Sequence, residues 1–323
     1  MHDYHCMSYS IHSVHENGMD LVVLKDEKTG TEAAILPEVG VLLHSFSVHT
    51  QTGVFNIIDN YNGLDQAKKE VDRSFKSVRL SPFPCRVSEG KYSYDGRTFQ
   101  FKKNFLDGSA IHGLLYDKPF QMIGKKSDER TASAIFRYQY RKDDDAYPFD
   151  YTCDVKYSLT EGNSLELQTT ITNDTNKPIP IADGWHPYFQ LGGKIDECIL
   201  SFKAESMVEF DEKLIPTGRL LPYHFFEKGK KINDVFLDNC FVIKTEMNRA
   251  ACELTNPANN LKLSFFPDAA YPYLQIFTPP HRKSIAIENL SAAPDCFNNK
   301  MGLILLAPGH SQTFTVKYQI SWK

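Results

Sequence analysis

Disulfide-ready cysteine pairs, long apolar runs, blocks of one charge and glycine-rich phosphate loops are all missing from this sequence. The seven cysteines, Cys6, Cys85, Cys153, Cys198, Cys240, Cys252 and Cys296, are odd in number and no two form C-x-x-C. Neither a disulfide framework nor a cysteine-built zinc site is expected, and free thiols suit a reducing compartment. The most apolar short run, Met301–Pro308, is far below the ~20 residues of a membrane span. The start, MHDYHCMSYS, has neither a basic n-region nor an apolar h-region, so a cytoplasmic protein is expected. With 36 basic against 40 acidic residues and no basic block, nucleic acid and anionic membranes are poor partners, and a neutral or small substrate is indicated. P-loop, G-x-G-x-x-G, G-x-S-x-G and H-E-x-x-H patterns are absent. That argues against NTPases, Rossmann dehydrogenases, α/β-hydrolases and common zinc proteases.

What is present is a chain of 323 residues with 41% hydrophobic and 24% charged side chains, an ordinary globular balance. Its dominant period is two. Phe149, Tyr151, Cys153, Val155 and Tyr157 alternate with polar neighbours; so do Ala134, Phe136, Tyr138 and Tyr140, then Leu165, Leu167, Thr169 and Ile171, and finally Phe314, Val316, Tyr318 and Ile320. Such runs fit strands with one face buried and one wet. Glu161-Gly162-Asn163 joins two of them as a hairpin, and Asp95-Gly96 between KYSY and TFQF is a tight-turn signal. Asn56–Asn62 and Asn256–Asn260 read as loops, and Gly63–Phe75 is the one charged, helix-prone stretch. No linker, repeat or βα alternation divides the chain, so residues 1–323 are expected to form one large all-β domain of antiparallel sheets packed face to face.

Four stretches combine titratable groups with stiff or aromatic neighbours. In Ser81-Pro82-Phe83-Pro84-Cys85-Arg86, two prolines precede Arg86; an arginine held this way offers fixed donors to sugar oxygens or a carboxylate, though by itself it also reads as a surface arginine. In Ile111-His112-Gly113, the glycine lets the backbone turn or approach a ligand closely, and a structural histidine reads equally well. Asp183-Gly184-Trp185-His186-Pro187-Tyr188-Phe189 embeds one histidine among three aromatics, either a rigid polar-ligand wall or an aromatic core cluster. In Ile285-Ala286-Ile287-Glu288-Asn289-Leu290, a carboxylate follows an apolar run, and a buried one demands a partner under any reading. Asp238 serves as a further candidate or as a turn residue. His2, His5, His12 and His15 belong to an N-terminus expected to fray.

Taken in order from about Ser81 to Pro308, these stretches resemble the aldose 1-epimerase (galactose mutarotase) family: Pro-Phe-Pro-x-Arg with the hairpin Gly90–Gly96, Asn104 with Ile111-His112-Gly113, the specific Gly184-Trp185-His186-Pro187-Tyr188-Phe189, and Ile287-Glu288-Asn289 through Leu306-Ala307-Pro308-Gly309. The resemblance implies an all-β supersandwich with few short helices and cofactor-free, metal-free interconversion of sugar anomers in an open cleft. It implies His186 as general acid, Glu288 as general base and His112 as the second active-site histidine. Arg86, Asp238 and Asn104 would bind sugar, with Trp185, Tyr188 and Phe189 against its C–H face. One departure stands out: Cys85 occupies the position before the arginine where the family often has Asn. The implied partner is a monosaccharide, and the chain would be a monomer or weak homodimer. An ionised Glu288 would raise the imidazolium fraction of His186. The rivals are a hexose-6-phosphate mutarotase using rim residues such as Arg282 and Lys283, a non-catalytic sugar-binding module, and a lyase or hydrolase on a related sandwich.

Overall fold

In the computed structural model, residues 8–102, 105–246 and 248–322 are described. Strands dominate, in three large sheets. Five strands between Tyr9 and Asn56 form the first in sequential order. Nine form the second, in the order Gln121–Ser127, Thr131–Tyr140, Tyr151–Thr160, Ser164–Asn173, Ser311–Ser321, Leu261–Pro267, Cys252–Asn256, Ile199–Phe202 and Lys230–Lys231. Six form the third, in the order Tyr188–Phe189, Ile285–Leu290, Tyr273–Phe277, Asp238–Ile243, Ala204–Phe210 and Pro216–Leu221. The all-β reading therefore holds, with antiparallel pairing across the second and third sheets.

The alternating runs explain how the large sheet is glued. Side chains of one parity line up across strands. Ala132, Leu159, Leu165, Tyr318, Phe265, Cys252 and Phe202 form one such row over seven strands, every member buried. Burying each large member contributes ~1.5–3 kcal/mol. The same core takes Leu24, Ile35 and Phe46 from the first sheet and Phe241, Ile276, Ile285 and Ile287 from the third.

The expected turns form. Asp95 and Gly96, with φ of 50° and 72°, close the hairpin of Lys91–Tyr94 with Arg97–Gln100, a two-residue turn that needs positive φ at both positions. Gly162 and Asn163 turn the chain between Thr160 and Ser164. The helix-prone stretch is the helix Leu64–Ser74, ended by Phe75 in the left-handed region, whose N–H donates to the Val71 carbonyl. Ala67 and Val71 bury its inner face against Met19, Leu21 and Leu36.

One expectation fails. His12 and His15 do not fray: they stand exposed on the ordered strand Tyr9–Glu16, which pairs residue for residue with Met19–Asp26. The neighbouring strand satisfies the main chain there, and His15 Nδ1 lies 2.8 Å from Asp20 Oδ1. His2 and His5 lie outside the described residues. Among the described residues, no helix is long and apolar enough to cross a membrane.

Candidate active site

The third sheet builds one wall of the site by parity. Ile285 and Ile287 point into the core, so Glu288 between Ile287 and Asn289 must face the opposite side of the sheet. Gln275 sits directly across from Glu288, Cys240 across from Gln275, Phe277 across from Asp238, and Tyr188 across from Ala286. Tyr188, Asp238, Gln275, Phe277 and Glu288 thus share one face, and all five line one cavity.

The second wall comes from the segment around His186. Backbone bonds thread it between two others: Leu80 N–H donates to Gly184 O at 2.9 Å, His186 N–H to Val78 O at 3.2 Å, and Trp185 N–H to Asn289 O at 3.3 Å. Held next to the Glu288 strand, His186 Nε2 lies 3.4 Å from Glu288 Oε1. Its ring stacks on Tyr188 with centroids 5.0 Å apart and meets the edge of His112 at 4.9 Å.

The third wall is the Cys85–Arg86 and His112 corner, which shows why glycine follows the histidine. Gly113 has φ +74°, and an added Cβ would lie 2.3 Å from the Ser81 carbonyl oxygen, so only glycine allows this approach. The turn carries His112 with it: its N–H donates to Cys85 O at 2.9 Å, and its Nδ1 accepts from Cys85 N–H at 3.3 Å. Neutral His112 therefore carries its proton on Nε2, where it can donate. The last helix turn adds Arg73, Ser74 and Phe75 to the lining, with the Phe75 ring 4.6 Å from that of His112.

These walls enclose a cavity of about 150 Å³, below the ~300 Å³ at which sites for larger organic ligands begin. A larger hollow of about 460 Å³ near Ser201 and Ala251 is instead lined by charged side chains that neutralise one another, Lys203 with Glu227 and Arg249 with Glu246.

Burial dominates the electrostatics. It pushes Glu288 well above the usual carboxylate range, assisted by the negative charge of Asp238 and opposed by Arg86. It lowers His186 to about 4. It also lowers His112, with His186 and Arg86 adding to the effect, and raises Asp238, against Arg86 and the Gln275 amide. The expectation of an ionised Glu288 holding His186 as imidazolium is corrected: removing both groups from water favours the neutral carboxylic acid and the neutral imidazole. That pair still holds one proton, and moving it across the 3.4 Å contact yields the carboxylate and imidazolium. Several polar atoms of the lining residues are buried without a partner among the described residues: Arg86 Nε, His186 Nδ1, Gln275 Oε1 and Glu288 Oε2. A buried polar atom left unpaired costs free energy, so their concentration in one cavity suits a polar ligand.

Of the residues singled out from the sequence, His186, Glu288, His112, Arg86, Asp238 and Tyr188 all line this cavity. Trp185 and Phe189 do not. Trp185 is 1% exposed, with the Arg79 guanidinium over its ring at 4.0 Å. Phe189 packs in the core against Phe265 and Tyr318. Both are core residues rather than sugar platforms, because the chain sends alternate side chains to opposite faces. Asn104 lies outside the described residues. Arg282 is spent elsewhere, on Asp196 Oδ1 and the carbonyls of Val235 and Asn233, and neither it nor Lys283 lines the cavity. Missed from the sequence were Gln275, which donates to Asp238 Oδ1 at 2.8 Å, and the sealed cluster of Arg79, Asp183 and Tyr271. The only signal for Gln275 was a polar residue inside an otherwise apolar strand.

Comparison with known proteins bears on the family and the fold. A family profile described as Aldose 1-epimerase matches residues 20–319. The chain is 28% identical over 238 residues to the uncharacterized protein YihR of Escherichia coli, covering 71% of this chain and 74% of that one. It is 22% identical over 262 residues to a maltose epimerase of Levilactobacillus brevis, covering 74% of each. Among solved structures, a galactose mutarotase-like protein from Clostridium acetobutylicum superposes with a TM-score of 0.85 at 18% identity, over 98% of this chain and 99% of that one. The galactose 1-epimerase of Lactobacillus acidophilus gives 0.80 at 19% identity, over 98% and 99%.

Proposed function

The chain belongs to the aldose 1-epimerase family, and from that premise we propose that it interconverts the α and β anomers of a free aldohexose by acid–base ring opening and closure. The observation that carries this is the meeting of His186 and Glu288 at 3.4 Å in one cavity. A hemiacetal carries its hydroxyl and its ring oxygen on the same carbon, so an acid and a base serving both must face one small space. The pair holds one proton. Glu288 as carboxylate takes the proton of the C1 hydroxyl, and His186 as imidazolium gives one to the ring oxygen. The aldehyde then rotates about C1–C2 and recloses with the roles reversed. Arg86, whose charge opposes the upward shift of Glu288, favours the carboxylate this step needs. Nε2–H of His112, Arg86 and Asp238 orient the hydroxyls.

The cavity volume of about 150 Å³ favours a monosaccharide, although relatives named for maltose and galactose make both sugars worth assaying. A non-catalytic sugar-binding module has no use for the His186–Glu288 pair. Its mark would be sugar binding without faster mutarotation. A 6-phosphorylated hexose is the second reading, favoured by the exposed Arg73 on the cavity lining. The six described cysteines are free and buried, which supports a cytoplasmic setting, and a cluster of buried side chains that joins all three large sheets supports a single domain. Polarimetry on freshly dissolved α-D-glucose, α-D-galactose and glucose 6-phosphate tests the reading, and no acceleration with any aldose overturns it.

A further inference from the structure

We propose that the same cavity takes one soft divalent cation, held by Cys85 Sγ, the Glu288 carboxylate and a ring nitrogen of His112, whose ring gives up its 3.3 Å bond from Cys85 N–H, and that the bound ion shuts the site. Three donor atoms of different type converge there within 4.8 Å of one another, all on buried residues. Each comes from a separate piece of backbone. Cys85 and His112 sit at positive φ of 51° and 60°, while Glu288 lies in the middle of a paired strand. Glu288 Oε2 is buried with no partner among the described residues, on a side chain 2% exposed. A thiolate, an imidazole and a carboxylate form a donor set suited to zinc. Magnesium and calcium prefer sets made only of oxygen. A tetrahedral ion needs its donors about 3.5 Å apart, closer than the 4.8 Å within which these three lie, so binding requires the side chains to draw together around it.

Glu288 belongs to the acid–base pair proposed above and His112 to the groups that orient the hydroxyls, whereas Cys85 stands where the family often has Asn. A zinc ion on Glu288 removes the carboxylate that takes the C1 proton. Cys85 therefore decides whether the site is metal-sensitive. Inhibition rests on the mutarotase reading, but metal binding does not, so the two are measured separately. Co2+ serves as the optical probe on the full chain, because a thiolate bound to it absorbs in the near ultraviolet. The expected result is that band in the wild type and its loss in Cys85→Asn and Cys85→Ser; asparagine is at home at positive φ, so Cys85→Asn keeps the fold. Half-inhibition of mutarotation by Zn2+ should need at least about tenfold more metal in Cys85→Asn, and chelator should restore wild-type activity. No thiolate–Co2+ band in the wild type overturns the site, as does Zn2+ sensitivity in both Cys85 variants equal to that of the wild type. A Co2+ band in a protein without mutarotase activity would sink the function while leaving the site standing.

Discussion

Two buried polar centres lie on either side of one short segment, Asp183–His186, and they differ in what surrounds them. On the core side, Arg79 Nη2 and the Tyr271 hydroxyl both donate to the Asp183 carboxylate, the latter at 2.6 Å, and Arg79 and Asp183 are fully buried. On the cavity side, His186 and Glu288 stand 3.4 Å apart with Nδ1 of one and Oε2 of the other unpaired. In the first centre Arg79 and the Tyr271 hydroxyl oppose the rise that burial imposes on Asp183, and the group closes the core, although Arg79 Nε and Nη1 have no partner among the described residues. In the second, charge is suppressed by burial and the polar atoms are left for a ligand. Asp183 and Trp185 point inward while His186 and Tyr188 point to the cavity, so a change of one residue in register would exchange the two roles.

The sharpest way to break the contrast is to remove the chemistry without the fold. His186→Asn and Glu288→Gln should each slow mutarotation by about 10²–10⁴-fold, with circular dichroism and cooperative unfolding retained. Full polarimetric activity in either variant removes that residue from the mechanism. Asp183→Ala should do the reverse, leaving Arg79 as an unpaired buried charge and costing ~3–5 kcal/mol of stability, read as a lower denaturant midpoint.

The pH dependence separates the centres further. Activity requires one proton on the His186–Glu288 pair. As pH falls through the His186 value of about 4 a second proton adds, and as pH rises through the raised Glu288 value the only proton leaves, so activity falls on both sides. A plot of kcat/KM against pH should place its acid limb well below the ordinary histidine value near ~6.5; an acid limb at that value would contradict it. Stability follows from the same shift. Above the ordinary carboxylate range the unfolded chain ionises Glu288 while the folded chain resists, so stability is lost as pH rises toward the folded value. Glu288→Gln removes that loss. It should therefore unfold about 1–4 °C higher than wild type at pH near ~7–8, the gain shrinking toward pH ~4.5. The smallest effect belongs to Arg73→Ala. On glucose it should change the rate by less than about fivefold, because an exposed arginine contributes ~1 kcal/mol or less to a neutral ligand. A large loss confined to glucose 6-phosphate would favour the phosphorylated substrate.

Much of this was legible in the sequence where a pattern is local. The strands Tyr151–Thr160 and Ser164–Asn173 alternate apolar buried residues with polar ones that are mostly half-buried, so their period of two survives in the residues themselves. The Ile285–Leu290 strand is buried on both faces, which erases that period and hides the side of the sheet to which Glu288 belongs. Trp185 was misplaced for the same reason: an aromatic cluster shows which residues are large, not which way each points. Gln275 shows only as a polar residue inside an apolar strand and joins the site by facing Glu288 on the neighbouring strand.

Sequence alone settled the architecture and the identity of the chemical groups, because alternation, turn residues and the order of the motifs are properties of neighbouring residues. Tertiary structure alone decided that His186 and Glu288 meet, that both lean toward neutrality, and that Cys85 joins them. Those outcomes depend on strand register and on exclusion of water, and both arise only when distant segments pack together.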